Sequence, residues 1–308
     1  MSEFITQLNH LGVINLTGEE RVKYLQGQVT NDIQELTEHK AALGCHCDFK
    51  GKTWNIFYAV QWQDQIHLIS DKDGIAGSLP ELKKYAVFAK TEISEQSDQY
   101  LLLGGTGSAF QQLIENFFGA VPDADLAMLS NQKGLVLSLT SPQPRWLVML
   151  KNDSAATFVK DTAITEDDQQ WQRLDIQAGL AHISQQTSNQ FVPQMLNMQA
   201  LGAISFSKGC YMGQEVVART KYLGKNKRAT FILRSEQACT LNAGDTLELQ
   251  IEQNWRRGGT VISCATVNHQ TWLLAVLAND TEVGATLRSK EQPDMQFNVQ
   301  PLPYSIDN

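Results

Sequence analysis

Long apolar runs are missing from this chain: no stretch approaches the ~20 residues that a membrane-crossing helix needs. The first residues, Met1-Ser2-Glu3-Phe4-Ile5, carry neither a basic region nor an apolar segment, so no signal peptide is expected. Cysteine is scarce. Five in 308 residues, at positions 45, 47, 210, 239 and 264, form an odd and scattered set that excludes a disulfide framework. These absences predict a protein of the reducing cytoplasm, without a membrane partner. No P-loop, dinucleotide fingerprint, His-Glu-x-x-His or nucleophile elbow occurs, which removes the commonest enzyme classes. No metal centre is expected either: Cys45-His46-Cys47 supplies at most part of a tetrahedral set, and no second cluster completes it. On a strand the two cysteines face one side and His46 the other, and a buried strand is the simpler reading.

What is present is ordinary core material with an uneven charge. Hydrophobic residues make up 42% and charged ones 19%, a balance that at this length suits two or three domains. The net charge is −8, yet residues 205–235 hold Lys208, Arg219, Lys221, Lys225, Lys227, Arg228 and Arg234 against a single acid, Glu215. A basic segment concentrated in an acidic chain suits an anionic ligand or partner, or else is a solvated loop.

Along the chain, 12–16 reads as a strand, and Thr17-Gly18-Glu19-Glu20 as a capping box opening a helix that buries Val22, Leu25 and Val29. Strands are predicted over 41–49, 53–62 and 66–70, with hairpin turns at Lys50-Gly51-Lys52 and Gln63-Asp64-Gln65. A helix over 71–87 follows, with Pro80 near a start or a break. Further strands are predicted at 88–93, 100–104, 135–139 and 146–150, and helices over 108–118, 153–161 and 166–178, the last stopped by Gly179. Gly104-Gly105-Thr106-Gly107 reads as a strand-to-helix turn, since no P-loop lysine follows. After Gly224 six short β-like runs (230–233, 246–251, 259–267, 272–277, 286–288 and 297–299) predict a small β-barrel. The fold class is therefore α+β, with a boundary near 224–228.

Lys208-Gly209-Cys210-Tyr211-Met212-Gly213-Gln214-Glu215 is the sharpest local feature. Glycines one residue before and three after a cysteine permit an exposed, tightly turned backbone. A helix over 214–220 would place Cys210 just ahead of its N-terminus, and with Lys208 nearby the thiolate form would be favoured. Cys210 is thus the candidate reactive thiol and Lys208 its electrostatic partner; a small buried cysteine is the alternative.

This segment resembles the signature of the YgfZ family, folate-binding relatives of the glycine-cleavage aminomethyltransferase. Lys23-Tyr24-Leu25-Gln26-Gly27-Gln28-Val29-Thr30-Asn31-Asp32 is similar to that family's N-terminal motif. Residues 197–206, Asn254-Trp255-Arg256-Arg257 and Pro301-Leu302-Pro303-Tyr304-Ser305 match it as well, so the resemblance spans the chain. It implies an aminomethyltransferase-like ring. Two α+β subdomains are interleaved within residues 1–225, the middle one roughly 95–160, and a small β-barrel occupies 226–308.

The resemblance also implies tetrahydrofolate binding and support of iron–sulfur proteins, including enzymes that thiolate tRNA; a monomer is expected. Trp171 matches a tryptophan tied to folate in the family, with core packing as the alternative. The family's other folate tryptophan falls on Leu11, which removes stacking surface and predicts micromolar rather than nanomolar binding. Gln26, Asn31 and Asp32 belong to the segment expected near the folate, and Arg219 and Lys221 suit its anionic tail. Lys225, Lys227, Arg228, Arg256 and Arg257 are candidates for contact with tRNA, and an RNA-binding module is a further reading. The main alternative is a folate-dependent one-carbon transferase of the aminomethyl type. Those transferases carry an acidic residue where this chain has Trp54-Asn55, so aminomethyl transfer lacks its proton-transfer partner.

Overall fold

Short antiparallel hairpins organise the chain because its strand-forming runs are separated by residues that accept a left-handed backbone. Gln63 and Asp64 have φ of 52° and 59°, and Asn268 and His269 have 52° and 62°. Such two-residue turns twist in the sense of the strands they join. A computed structural model describes residues 3–160, 162–224 and 226–306.

In chain order the elements are β1 (Phe4–Gln7), β2 (Leu11–Thr17), α1 (Arg21–Gln26), β3 (Ala42–Cys47), β4 (Thr53–Trp62), β5 (Gln65–Asp71), α2 (Lys72–Ala86) and β6 (Glu92–Glu95). Next come β7 (Tyr100–Thr106), α3 (Ser108–Phe118), β8 (Met128–Ser130), β9 (Gly134–Leu139), β10 (Arg145–Lys151), α4 (Asn152–Phe158), α5 (Gln169–Gln177) and α6 (Gln214–Tyr222). The chain finishes with β11 (Arg228–Ser235), β12 (Thr246–Ile251), β13 (Asn254–Val267), β14 (Gln270–Ala278), β15 (Thr286–Ser289) and β16 (Gln296–Gln300).

Three sheets result. The first has order β3-β4-β5-β2-β6, the second β1-β7-β10-β9-β8, and β11-β14-β13-β12-β15-β16 close into a barrel. The N-terminal strand β1 thus belongs to the second sheet, which interleaves the two α+β units in sequence. Each unit has its own core: Phe57 and Leu82 lie between the first sheet and α2, Phe110 and Phe158 lie in the core of the second, and Phe231 and Phe297 fill the barrel. A fourth apolar cluster joins all three, with Leu11 and Tyr58 from the first sheet, Leu147 from the second, Trp171 from α5 and Ile262 from the barrel. The α+β class and the six-stranded C-terminal barrel are as the sequence predicts.

Several local expectations change. Thr17 caps nothing: the residue before α1 is Glu20, which makes no cap bond among the described residues, because its carboxylate instead meets Lys23 and the Lys90 amide. Val29 is buried but lies beyond the helix. Pro80 sits inside α2, at the cost of one backbone bond. The strand expected at 88–93 begins only at Glu92, and Phe88 is 93% exposed. Helix α4 ends at Phe158, and the expected end at Asp161 lies outside the described residues. Helix α5 starts at Gln169 rather than 166, and β13 begins at Asn254, so Trp255-Arg256-Arg257 is strand.

Candidate functional site

The two glycine-containing motifs, far apart in sequence, form a single knot. Lys208 is 7% exposed, and its ammonium donates to the carbonyls of Gln26, Val29 and Asn31 at 2.7, 2.8 and 2.7 Å. Burial pulls its pKa down to about 8, with the Asp32 charge acting in the opposite sense. Met212 N–H donates to Gly27 O at 3.0 Å and Ser205 N–H to Thr30 O at 3.0 Å. Thr30 Oγ1 donates to Ala203 O and accepts from Cys45 N–H. The side chains of the 26–32 loop close on one another: Gln26 Nε2 donates to Asp32 Oδ1 at 3.0 Å, and Asn31 Nδ2 to the carbonyls of Leu43 and Gly202. Gly213 adopts φ +81°, and a Cβ there would lie 2.5 Å from the Asp48 carbonyl, so only glycine lets the loop turn into α6 against the β3–β4 turn.

On this frame Cys210 is exposed, while Cys45 and Cys47 are buried and Cys239 and Cys264 partly so. Burial pushes the thiols of Cys45 and Cys264 up, to about 12 and 11, and that of Cys47 well above its usual range. His46 is 2% exposed, bonded to Ser78, and held neutral by burial, which lowers its pKa to about 4. Among the described residues no three His, Cys, Asp or Glu side chains cluster as a metal would require.

A second feature lies where the three units meet. A chamber of about 240 Å³ between the first sheet, α5 and the barrel is lined by His10, Asp71, Asp175, His182 and Ile262. Beyond Asp175 and His182 a narrow gap is walled by Leu11, Tyr58, Trp171 and Leu180. Past Tyr58 and Leu180 lies a cavity of about 70 Å³ bounded by Asp125 and Arg145. An alternating ion chain runs along these cavities. His182 bonds Asp71 through Nδ1 at 2.9 Å and Asp175 through Nε2 at 3.0 Å, and Arg145 Nη2 meets Asp175 Oδ1 at 2.7 Å. Burial opposes both charges of the His182–Asp175 pair, but their partners prevail: His182 rises to about 10 and Asp175 falls to about 2. Arg145 lies 4.5 Å from the Trp171 ring centroid, and its Nε and Nη1 have no partner among the described residues.

The comparisons agree with one another. The profile described as "YgfZ, beta-barrel domain" matches residues 226–292. A protein named "tRNA-modifying protein YgfZ" from Pectobacterium carotovorum is 41% identical over 306 residues, which are 98% of this chain and 92% of that one. Its namesakes from Yersinia enterocolitica and Photorhabdus laumondii are 39% and 38% identical over 306 residues, with 98% of this chain covered and 92% and 93% of theirs. The chain belongs to the YgfZ family. The fold is also that of glycine cleavage system aminomethyltransferase T from Bartonella henselae, with a TM-score of 0.73 at 13% identity, covering 98% of this chain and 86% of that one.

The YgfZ motifs thereby acquire structural meanings. Asn197 bonds Thr230 in both directions, and Tyr304 donates to Gly179 O at 2.8 Å, so two motifs fasten the barrel to the body. Trp255 packs on Arg288, 4.3 Å from guanidinium carbon to ring centroid. Of the residues expected to hold folate, Leu11 and Trp171 share the narrow gap, whereas Gln26, Asn31 and Asp32 lie in the knot around Lys208. Trp171 is 1% exposed, a Cβ on Gly104 would lie 2.4 Å from its ring, and Arg145 packs against it. Lys208 is bonded to three carbonyls of the 26–31 loop. Lys221 sits 3.7 Å over Phe206 in a different cleft, beside Gln194 and Asn226, and Arg219 is exposed. Lys227, Arg228, Arg256 and Arg257 are exposed; Lys225 lies outside the described residues. Asn55 is 1% exposed, bonded to Ser70 and packed against Gly74 of α2. The ion chain of Asp71, Arg145, Asp175 and His182 went unread in the sequence, because nothing in the spacing of four ordinary residues signals their meeting.

Proposed function

We propose that this chain is a folate-binding accessory protein that supports iron–sulfur enzymes and thereby tRNA modification, with Cys210 as its working thiol. One observation carries the reading. The most exposed cysteine of the chain stands on a backbone fixed by a buried lysine, in a chain whose relatives are named tRNA-modifying proteins. A thiol held out to solvent on a rigid turn is available for reaction with a partner, while buried thiols are not.

The reading puts a flat ligand with polar edges at the junction of the three units. The ligand would sit in the chamber of about 240 Å³ beside His10, Asp71 and His182, whose inner end is walled by Leu11, Tyr58 and Leu180; apolar walls with a few polar groups are the pattern of a small-molecule pocket. Tetrahydrofolate, when bound, supplies a carrier for one-carbon units. The chain's own part is to enclose it, exclude water and orient its edge. Expression of Cys210→Ser in a strain lacking the protein tests the proposal: folding is retained and tRNA thiolation is not restored. Full rescue would defeat it.

A further inference from the structure

We propose that the cleft between α6, the 199–206 segment and the start of the barrel is a second binding site, distinct from Cys210 and from the central chamber, and that it takes a nucleotide of a single-stranded nucleic acid. The cleft measures about 360 Å³, within the range of small-ligand sites. Lys221 is the wall that sets its chemistry. Its ammonium lies 3.7 Å from the ring centroid of Phe206 and 5.6 Å from that of Tyr222, and these two rings meet edge to face at 6.4 Å. The ammonium makes no hydrogen bond or ion pair among the described residues. Aromatic rings hold a cation in place without neutralising it, so its charge stays available to an anion.

The class of ligand follows from what surrounds that cation. Neither Asp nor Glu lines the cleft among the described residues. Arg219, Lys227 and Arg228, each next in sequence to a lining residue, are exposed and have no carboxylate partner among those residues. In a chain of net charge −8, four unpaired cations gathered at one cleft favour a polyanion. A single phosphate needs fewer, so a strand fits better than a free nucleotide. The remaining groups favour bases over an acidic protein surface. Tyr222 is 65% exposed and offers a flat ring for stacking. Asn279, an exposed residue of the lining, gives its amide N–H to Asn226 O and keeps its side-chain carbonyl free for a base edge. Both contacts need bases that are not already paired and stacked in a duplex.

Fluorescence anisotropy tests this with the full chain and short labelled strands of RNA and of DNA, which separate the two sources; a hairpin duplex, AMP and polyglutamate are the competitors. Folate is absent throughout, so the outcome is independent of the folate reading. The native protein binds single strands in preference to the duplex, and its affinity falls about tenfold to fiftyfold between about 50 and about 200 mM salt. Lys221→Glu weakens binding about tenfold beyond Lys83→Glu, the same charge reversal at an exposed lysine of α2. Tyr222→Leu weakens it about fivefold or more, while Tyr222→Phe binds as the native protein does. No binding of either strand by the native protein at the lower salt overturns the proposal, whether or not the variants fold. Equal losses in Lys221→Glu and Lys83→Glu overturn it too, as does native affinity in Tyr222→Leu. Displacement of the strands by polyglutamate would assign the cleft to an acidic protein instead, and AMP binding as tightly as a strand would overturn the strand.

Discussion

Cys210 and Lys208 are two positions apart and occupy opposite environments. The thiol faces solvent while the ammonium is enclosed by three carbonyls. Alkylation at near-neutral pH, followed by peptide mapping, is expected to mark Cys210 first and to leave Cys45 and Cys47, 0% and 1% exposed, unmodified until the protein unfolds. Equal labelling of all five would contradict this. Lys208→Met is expected to lower stability by about 2 kcal/mol, because it removes the donor of three carbonyls, that of Val29 buried; urea melts read the loss, and an unchanged midpoint would mean the knot holds without its lysine. The exposed cysteine was legible because flanking glycines announce a turned backbone. The lysine's three acceptors were not, since they stand 177 to 182 positions earlier in the chain.

At the scale of elements, the ion chain, buried at Arg145 and Asp175 and half-buried at Asp71 and His182, ties β5, β10, α5 and the segment after α5. Its pH dependence has a definite sign. His182, raised from 6.5 to about 10 by its carboxylate partners despite burial, contributes stability that is complete below pH 6.5 and lost as pH climbs through 10. Asp175, moved from 3.8 to about 2, contributes above pH 3.8 and loses that contribution as pH falls through 2. Both act fully only between pH 3.8 and pH 6.5. Denaturant melts at pH 6 and pH 10 should therefore show the native protein losing on the order of 2–4 kcal/mol that His182→Gln does not lose. A parallel loss in both proteins would place the titration elsewhere. The barrel was readable strand by strand because short runs between Asn, Asp and Gly turns leave little choice of partner. Strand β1 escaped notice: four residues carry too little pattern, and its partner is remote. Residues 88–91 misled in the opposite way, since Phe88 looks like strand core but faces water.

For the whole molecule, the decisive joints are those between lobes. Asn197 and Thr230 exchange two bonds, Tyr304 reaches Gly179, and Gln169 Oε1 accepts from Thr266 N–H at 2.9 Å. Asn197→Ala is expected to cost about 2 kcal/mol and to split a single calorimetric transition into two as the barrel melts apart from the body; one sharp transition would show that the shared apolar cluster suffices. No local sequence pattern announces such joints, because each partner is unremarkable until the lobes have met. The pairing of Ile5 with Gly105, and of Thr6 with Thr165, carries a consequence for synthesis. On a chain emerging N-terminus first, β1 leaves the ribosome well before β7 exists, while all five strands of the first sheet emerge and close in between. The first lobe must therefore assemble while leaving a neighbouring unpaired strand unclaimed, and a nascent chain halted before Tyr100 would display an edge with nothing of its own to bind.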